Sequence, residues 1–542
     1  MAIHRSLDKI ATPLSHLPTW FFIIGYPCFW MELYSHSAPD GVTSPWPWIL
    51  FEGIALVCVG SAVMARDIGT KPFIPKMSIG PVGGMEFFFW PAAFFLALFI
   101  IGVILIAGLK PIHLMQEFDC LQYHYTLPRQ HLILGSFVHI PWAADDLFLL
   151  PMDFALAPFW FATSLPNKIP QLIIFFGLMA VAMRLTSLLA TERRPWAAPL
   201  VGLVILGTHG FGIQMGTGML DLAITYLFLA SLDSLCQGNW CLAAIEFTFF
   251  FWSKPLMPLE VTVILGIWFF IFTLARWFQW EILGTLILKH RLRAFGLFLI
   301  LSVFVAGPFI GKSIYYAATP FFPLGPGMMG TVAVIKMHPQ AWQSLEKASR
   351  LWMQGIKDDY GHGRSLLAFI KHWWLLALPE KGVNNAFDYP LGLTYLLMIG
   401  PFMYFLFRDL WQRKFHPLSV LVAVIWALWW FSAQQSRFLY LPLAIIFIVT
   451  IARFNKISKV LLLCLLVSLL LEALSVWNAH KTDLCRWGVN DLRVEDQQLV
   501  ALNQSYLQNP SSNYVDWPSH DVAYAQFPVM VHKENLPHTI IF

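Results

Sequence analysis

Glu117-Phe-Asp119-Cys120-Leu-Gln-Tyr123-His124-Tyr-Thr-Leu127-Pro128 follows directly on an apolar run that begins near residue 87. A run of that length crosses a bilayer, because about 20 apolar residues at 1.5 Å each match the hydrocarbon thickness. The segment therefore sets an acid, Asp119, at a membrane face and opens a long polar, aromatic-rich loop. A carboxylate gains nothing from lying near lipid, so its position points to chemistry at that face.

The rest of the chain repeats the apolar pattern. Of 542 residues, 58% are apolar and only 12% are charged, and the mean hydropathy is +0.63, which describes an all-α polytopic membrane protein. Runs of roughly 17 to 25 apolar residues begin near 17, 46, 87, 169, 196, 219, 241, 260, 295, 388, 417, 438 and 459, which gives about thirteen crossings. Net charge is +4, and its positive members sit in short clusters between apolar runs. That distribution lacks the continuous basic face of a nucleic-acid binder, so nucleic acid is excluded as a partner. Cys28, Cys58, Cys120, Cys236, Cys241, Cys464 and Cys485 show no C-x-x-C spacing and indicate neither a zinc site nor a disulfide framework; Cys120 and Cys485 are the one pair assigned to the same non-cytoplasmic face.

Charge between the runs sets the orientation. His4-Arg5-Lys9, Arg66 to Lys76, Glu192-Arg193-Arg194, Lys289 to Arg293, Arg408 to Lys414 and Arg453 to Lys459 fall on one side, with the short Gln237 to Trp240 turn as its weak member. The positive-inside rule makes that side cytoplasmic, and the first run reads as a retained anchor because no small-residue cleavage site follows it. The other side receives three segments too long to be connectors, about 110–168, 313–387 and 478–542. No fixed-period repeat is visible, which gives no support to a solenoid or an inverted-repeat transporter. The expected organisation is two leading helices over 1–86, a catalytic membrane domain over 87–477 and a small exterior tail over 478–542.

Several polar constellations share the exterior side. Asp119 is followed by Tyr123, His124, Arg129 and Gln130, then by His139-Ile-Pro-Trp142-Ala-Ala-Asp-Asp146 and Pro151-Met-Asp153. Tyr123 and Trp142 read equally well as interfacial anchors. Asp221, in Gly216-Thr-Gly-Met-Leu-Asp221, stands where a helix starts and where its charge suits the dipole. Lys254-Pro255 ends the next run, and a lysine inside an apolar helix costs roughly 2.5 to 3.5 kcal/mol unless it snorkels or is paired. Glu246 lies about 12 Å below it on the same helix, too far to pair. Pro308 to Pro323 adds Lys312, Tyr315 and Tyr316 to the exterior side, and Gln434-Gln435-Ser436-Arg437 adds a planar guanidinium fork suited to phosphate oxygens.

Taken in this order, the segments resemble the multi-spanning C-class (GT-C) glycosyltransferases that use polyprenyl-phosphate sugars, particularly the bacterial protein mannosyltransferases and lipid A aminoarabinose transferases. Asp119-Cys-Leu-Gln-Tyr-His124 with Leu127-Pro128 is similar to the family's first-loop motif, and Gly218-Met-Leu-Asp-Leu-Ala223 to its exterior Asp-Leu-Ala helix start. Lys254 stands where many members carry a lysine, although the helix before it here is Phe-rich. Gly307-Pro308 through Tyr316, Thr319-Pro320 and Phe322-Pro323 are similar to the family's Pro- and Tyr-containing stretch, without its Arg-Asn pair. Gln435-Ser-Arg437 before Leu441-Pro442 resembles the late Gln-Ser-Arg turn. The resemblance covers about residues 87–455.

What the resemblance implies is an inverting sugar transfer from a polyprenyl-phosphate donor to a glycan, lipid or protein acceptor. The expected setting is the extracytoplasmic face of a bacterial inner membrane. Asp119 is then the general base, and Lys254, Lys312 and Arg437 are candidates to neutralise the departing phosphate. Tyr123, His124 and Trp142 line the sugar pocket, with Asp221, Tyr316 and Gln435 as further substrate-binding residues. Asp119 lacks the adjacent second acid of some members, which leaves use of a divalent metal open. Two alternatives remain at this stage: a transporter or flippase using Asp221, Glu246 and Lys254 as a path through the membrane, and a family-like protein without activity.

Overall fold

The computed structural model describes residues 15–36, 86–109, 123–135, 137, 139, 144–160, 168–190, 194, 196–283, 290–329, 346, 349–350, 360–378, 387, 389–454 and 457–480. Asp119, Cys120, Trp142, Cys485 and all of 481–542 lie outside them.

The described chain is helical, apart from one pair of two-residue strands. In order it forms α1 (Thr19–His36), α2 (Glu86–Gly108), α3 (Thr126–Leu134), a 3-10 turn (Ala144–Leu147), α4 (Pro151–Trp160), α5 (Ile169–Leu189), α6 (Ala197–Gly207), α7 (His209–Gly216), α8 (Asp221–Gln237), α9 (Trp240–Phe251) and α10 (Met257–Trp277). There follow β1 (Glu281–Ile282), α11 (Arg291–Ala317), α12 (Leu366–Leu375), α13 (Leu393–Trp411), β2 (Lys414–Phe415), α14 (Pro417–Phe431), a 3-10 turn (Ser436–Leu439), α15 (Tyr440–Arg453) and α16 (Lys459–His480). Twelve of the thirteen expected crossings coincide with a described helix; the one starting near 46 lies outside the described residues. Among the described residues, seven helices are long and apolar enough to cross a membrane, or eight if the bent pair α6–α7 counts as one span. The protein is an all-α polytopic membrane protein.

Packing follows from where the apolar surface is continuous. α15 is buried along nearly its whole length and touches α5, α6, α8, α13 and α14, so it forms the axis of the core. α10 lies at the edge, where Phe269, Phe270 and Trp277 are exposed in the manner of a lipid-facing surface. α1 belongs to the same hydrophobic cluster as the later helices and packs on α4. Their approach depends on Gly25, where an added Cβ would lie 1.9 Å from the Ala155 carbonyl oxygen. Small residues permit this closeness between membrane helices.

α6 and α7 meet at a 50° bend at Thr208, which would leave peptide N–H groups unpaired in an apolar interior. The Glu472 carboxylate on α16 accepts the His209 N–H at 2.7 Å and, on its other oxygen, the Thr394 N–H at the start of α13 at 2.5 Å. One acid thus caps two helix starts. Between α10 and α14, β1 and β2 pair in parallel, with Glu281 opposite Lys414 and an ion pair between the two at 3.1 Å.

Candidate functional site

The α8–α9 hairpin sets the frame. Its turn is tight because Gly238 adopts φ +87°, a left-handed conformation that closes α8 through N–H bonds to Leu235 and Ser234 carbonyls. The two helices therefore run antiparallel, and Asp221, opening α8, meets Lys254, just past the end of α9. Lys254 Nζ donates to Asp221 Oδ1, and Gln214 Nε2 donates to Asp221 Oδ2 at 2.9 Å. Pairing removes most of the insertion cost of both charges. Glu246 does not take part, as the helical rise requires.

The turn between α14 and α15 reaches the same place. Lys254 stands 4.3 Å from the centre of the Phe438 ring, and the Arg437 guanidinium stands 5.5 Å from it. Arg437 donates through Nε and Nη2 to Gln435 Oε1, at 3.2 and 3.1 Å, and through Nη1 to Met219 Sδ. Trp429 on α14 fixes the turn by donating its indole N–H to the Gln435 carbonyl at 2.8 Å. Asp221, Lys254, Gln435 and Arg437, separated widely in the sequence, are thus gathered around one aromatic ring.

The first long polar segment brings its residues to this group from the turn before α3 and from α4. The His124 imidazole bonds through Nδ1 to Asp153 Oδ1, and its ring lies 4.4 Å from that of Tyr123. Burial raises the Asp153 pKa, while His124 and the charge of Lys254 oppose the rise, which places Lys254 within electrostatic reach of Asp153. Asp153 Oδ2 and Gln214 Oε1 are both buried and lack a hydrogen-bond partner. Acceptors left in this state are costly in a finished core and are common where a ligand completes the bonding.

Lys312 and Tyr316 belong to a second group, beside the 3-10 turn before α4. Lys312 Nζ donates to Asp146 Oδ1 at 2.7 Å, His131 Nε2 lies 2.6 Å from the same oxygen, and His139 Nδ1 lies 3.2 Å from Oδ2. Burial alone would raise the Asp146 pKa, but Lys312, His131 and the imidazole hydrogen bonds outweigh it, so the carboxyl is held well below its ordinary value. The charge of Lys312 is therefore matched by Asp146. The Tyr316 ring lies 5.2 Å from that of His139.

Of the residues that the sequence singles out, His124, Asp221, Lys254, Gln435 and Arg437 form one group and Lys312 and Tyr316 another. Tyr123 joins the first through its stacking on His124. Asp119 and Trp142 lie outside the described residues. Sequence reading named Asp146 and Asp153 without giving them roles, and missed Gln214 and Met219; the useful signal for the acids was their place beside apolar runs, where a carboxylate needs a partner. Among the described residues, no group of three or more His, Cys, Asp or Glu side chains is placed to hold a metal ion.

No protein-family model matches the chain, and no curated protein matches its sequence. Two solved structures are distantly similar. One is the crystal structure of the Archaeoglobus fulgidus oligosaccharyltransferase tethered with an acceptor peptide containing the NVT sequon, at 14% identity and a TM-score of 0.37, covering 84% of this chain and 61% of that one. The other is the archaeal oligosaccharyltransferase AglB from Archaeoglobus fulgidus in complex with an inhibitory peptide and a dolichol-phosphate, at 13% identity and a TM-score of 0.36, covering 85% and 62%. The chain spans about three fifths of the length of these two proteins. Likenesses this slight assign neither a family nor an activity.

Proposed function

We propose that the chain is an integral-membrane glycosyltransferase that moves a sugar from a polyprenyl-phosphate donor to a glycan, lipid or protein acceptor on the extracytoplasmic side. The observation that carries this reading is the meeting of Lys254 and Arg437 over Phe438, beside Asp221 and Gln435. Two cations against an aromatic ring at the end of apolar helices suit a ligand with an anionic head and a long hydrocarbon tail.

In this reading the donor phosphate lies against Lys254 and Arg437 with its prenyl chain along apolar helix faces. An acceptor hydroxyl attacks the anomeric carbon from the opposite side, forming the new glycosidic bond. The old carbon–oxygen bond breaks, the electron pair leaves on the phosphate, and configuration inverts. Asp119 takes the hydroxyl proton as attack proceeds, for which it must come within about 2.6 to 3.2 Å of that oxygen. The preorganised cations stabilise the charge that develops on the phosphate in a site of low dielectric. His124, oriented by Asp153, and Tyr123 contact the sugar with Trp142. The membrane domain of this activity is the stretch 87–477, set in a bacterial inner membrane.

A strain lacking the chain is the test. Mass analysis of its envelope glycans should reveal a sugar lost, restored by the wild-type chain and not by Asp119→Asn at equal abundance. Restoration by Asp119→Asn removes the base assignment, and an unchanged glycan profile in the deletion strain removes the enzyme reading.

A further inference from the structure

His139 carries an unused bonding capacity that the transfer chemistry above does not explain. Its Nδ1 faces Asp146 Oδ2 at 3.2 Å, and its Nε2 is buried without a hydrogen-bond partner. Asp146 is ionised and can only accept, so the proton of the imidazole sits on Nδ1. Burial pushes the His139 pKa down against the pull of Asp146, which keeps the ring neutral and leaves a lone pair on Nε2. A neutral imidazole with its tautomer fixed by a carboxylate is a directed hydrogen-bond acceptor.

Charge around it selects the kind of group it can meet. Asp146 is balanced by Lys312, which stands 2.7 Å from one carboxylate oxygen and 4.1 Å from the centre of the Phe137 ring. Among the described groups in contact with it, the one lysine charge is answered by the Asp146 carboxylate, and a carboxylate or phosphodiester has no proton at neutral pH to donate to Nε2. The Tyr316 ring, 5.2 Å from the imidazole and half-buried, offers an amphipathic wall beside the acceptor. A hydroxyl on a neutral ring meets both conditions: it donates to Nε2 and lays C–H groups on the phenol.

We propose that His139, oriented by Asp146, forms a binding subsite for a hydroxyl of a neutral pyranose, with Tyr316 beside it. That the pyranose belongs to a transferase substrate rests on the function proposed above; the subsite itself is read without turnover.

The test is chemical footprinting of the full chain in nanodiscs. Diethyl pyrocarbonate modifies the free nitrogen of neutral imidazoles, and its rate at His139 is followed by peptide mass analysis at neutral pH. The probes are methyl β-D-glucopyranoside, methyl β-D-galactopyranoside and methyl α-D-mannopyranoside, with 2-methoxytetrahydropyran as the same ring without hydroxyls. At least one glycoside should slow modification of His139 saturably, by about fivefold or more, because a hydrogen-bonded Nε2 lone pair cannot attack the reagent, and 2-methoxytetrahydropyran should not. Equal rates with and without every glycoside overturn the subsite, as does equal protection by the hydroxyl-free ring or a His139 that never reacts. Because Asp146→Asn can fail to fold, Tyr316→Ala supplies the second arm, and protection should weaken in it while the unprotected rate persists. Protection in a chain whose deletion leaves envelope glycans unchanged keeps the subsite and discards the transferase, so the two failures are separable.

Discussion

The two ends of the α8–α9 hairpin hold similar sets of charged residues to different purposes. At the end bearing the Gly238 turn, Asp233 accepts from Arg184 at 2.9 Å and from Gln237, and His16 bridges Asp233 and Glu246 at 3.1 and 2.9 Å. Glu246 is completed by the hydroxyls of Thr19 and Ser234, both at 2.7 Å. These carboxylates are wholly buried, and the groups answering them come from α5, α8, the first residue of α1 and the turn before it. At the other end Lys254 keeps 23% of its side chain exposed, and Asp153 and Gln214 retain oxygens without partners. The turn-end cluster surrounds its two acids with five answering groups and leaves one oxygen, Asp233 Oδ1, without a partner, so it acts chiefly as a clamp; the other end leaves oxygens on two residues beside a partly exposed lysine, bonding capacity for something that arrives.

Substitutions should separate these roles. Asp119→Asn is expected to reduce sugar transfer by about 10²-fold or more with no change in melting temperature, since a base acts only in the reaction. Transfer measured in membranes at matched abundance decides it; near-normal turnover would move the chemistry elsewhere. Glu246→Ala, at the clamp, should instead cost about 3–5 kcal/mol of stability, because His16, Thr19 and Ser234 lose a buried partner they cannot replace. Loss of monodisperse protein in a thermal series is the readout, and a stable Glu246→Ala protein would erase the distinction between the two ends. Lys254→Gln, whose amide can still bond Asp221, should raise the donor KM by about 10- to 100-fold from the loss of one charged hydrogen bond, at an unchanged melting temperature. A fall in kcat alone, at unchanged KM, would take Lys254 out of donor binding.

The smallest effect concerns pH and lies away from both clusters. His372, on α12, donates from Nδ1 to the Phe369 carbonyl and accepts on Nε2 from the Trp426 indole at 3.2 Å, so the neutral ring fits and the charged one does not. Burial lowers its pKa to about 4, with the Phe369 carbonyl opposing. The unfolded chain binds this proton near pH 6.5 and the folded chain does not, so His372 costs nothing above pH 6.5 and destabilises the fold as pH falls from there toward 4. Melting temperature should decline across that window, and His372→Gln should flatten the decline; an unchanged slope would show that other groups cause it.

Much of this architecture was legible in the sequence because lipid imposes a simple rule of length and apolarity. The starts near 169, 241, 417 and 459 fall close to Ile169, Trp240, Pro417 and Lys459, where helices begin. The Asp221–Lys254 meeting was nearly legible too, since two antiparallel helices joined by a tight turn must bring their outer ends together. Lys312 was harder. Its partner Asp146 stands across a long segment whose path no local pattern specifies, so a cation suited to phosphate by sequence proves to be matched inside the protein. The His16 bridge was invisible for the same reason, although Glu246, as an acid inside an apolar run, required some partner, and Asp233 was passed over.

Glu472 has a consequence for the order of assembly. The bend at Thr208 and the start of α13 both draw their N–H acceptor from α16, the last helix described. During synthesis α6 and α7 enter the bilayer long before that carboxylate exists, so the kink cannot be held by its final bond until α16 has followed. The elbow between α6 and α7 is therefore set late, by a residue translated well over two hundred codons after it.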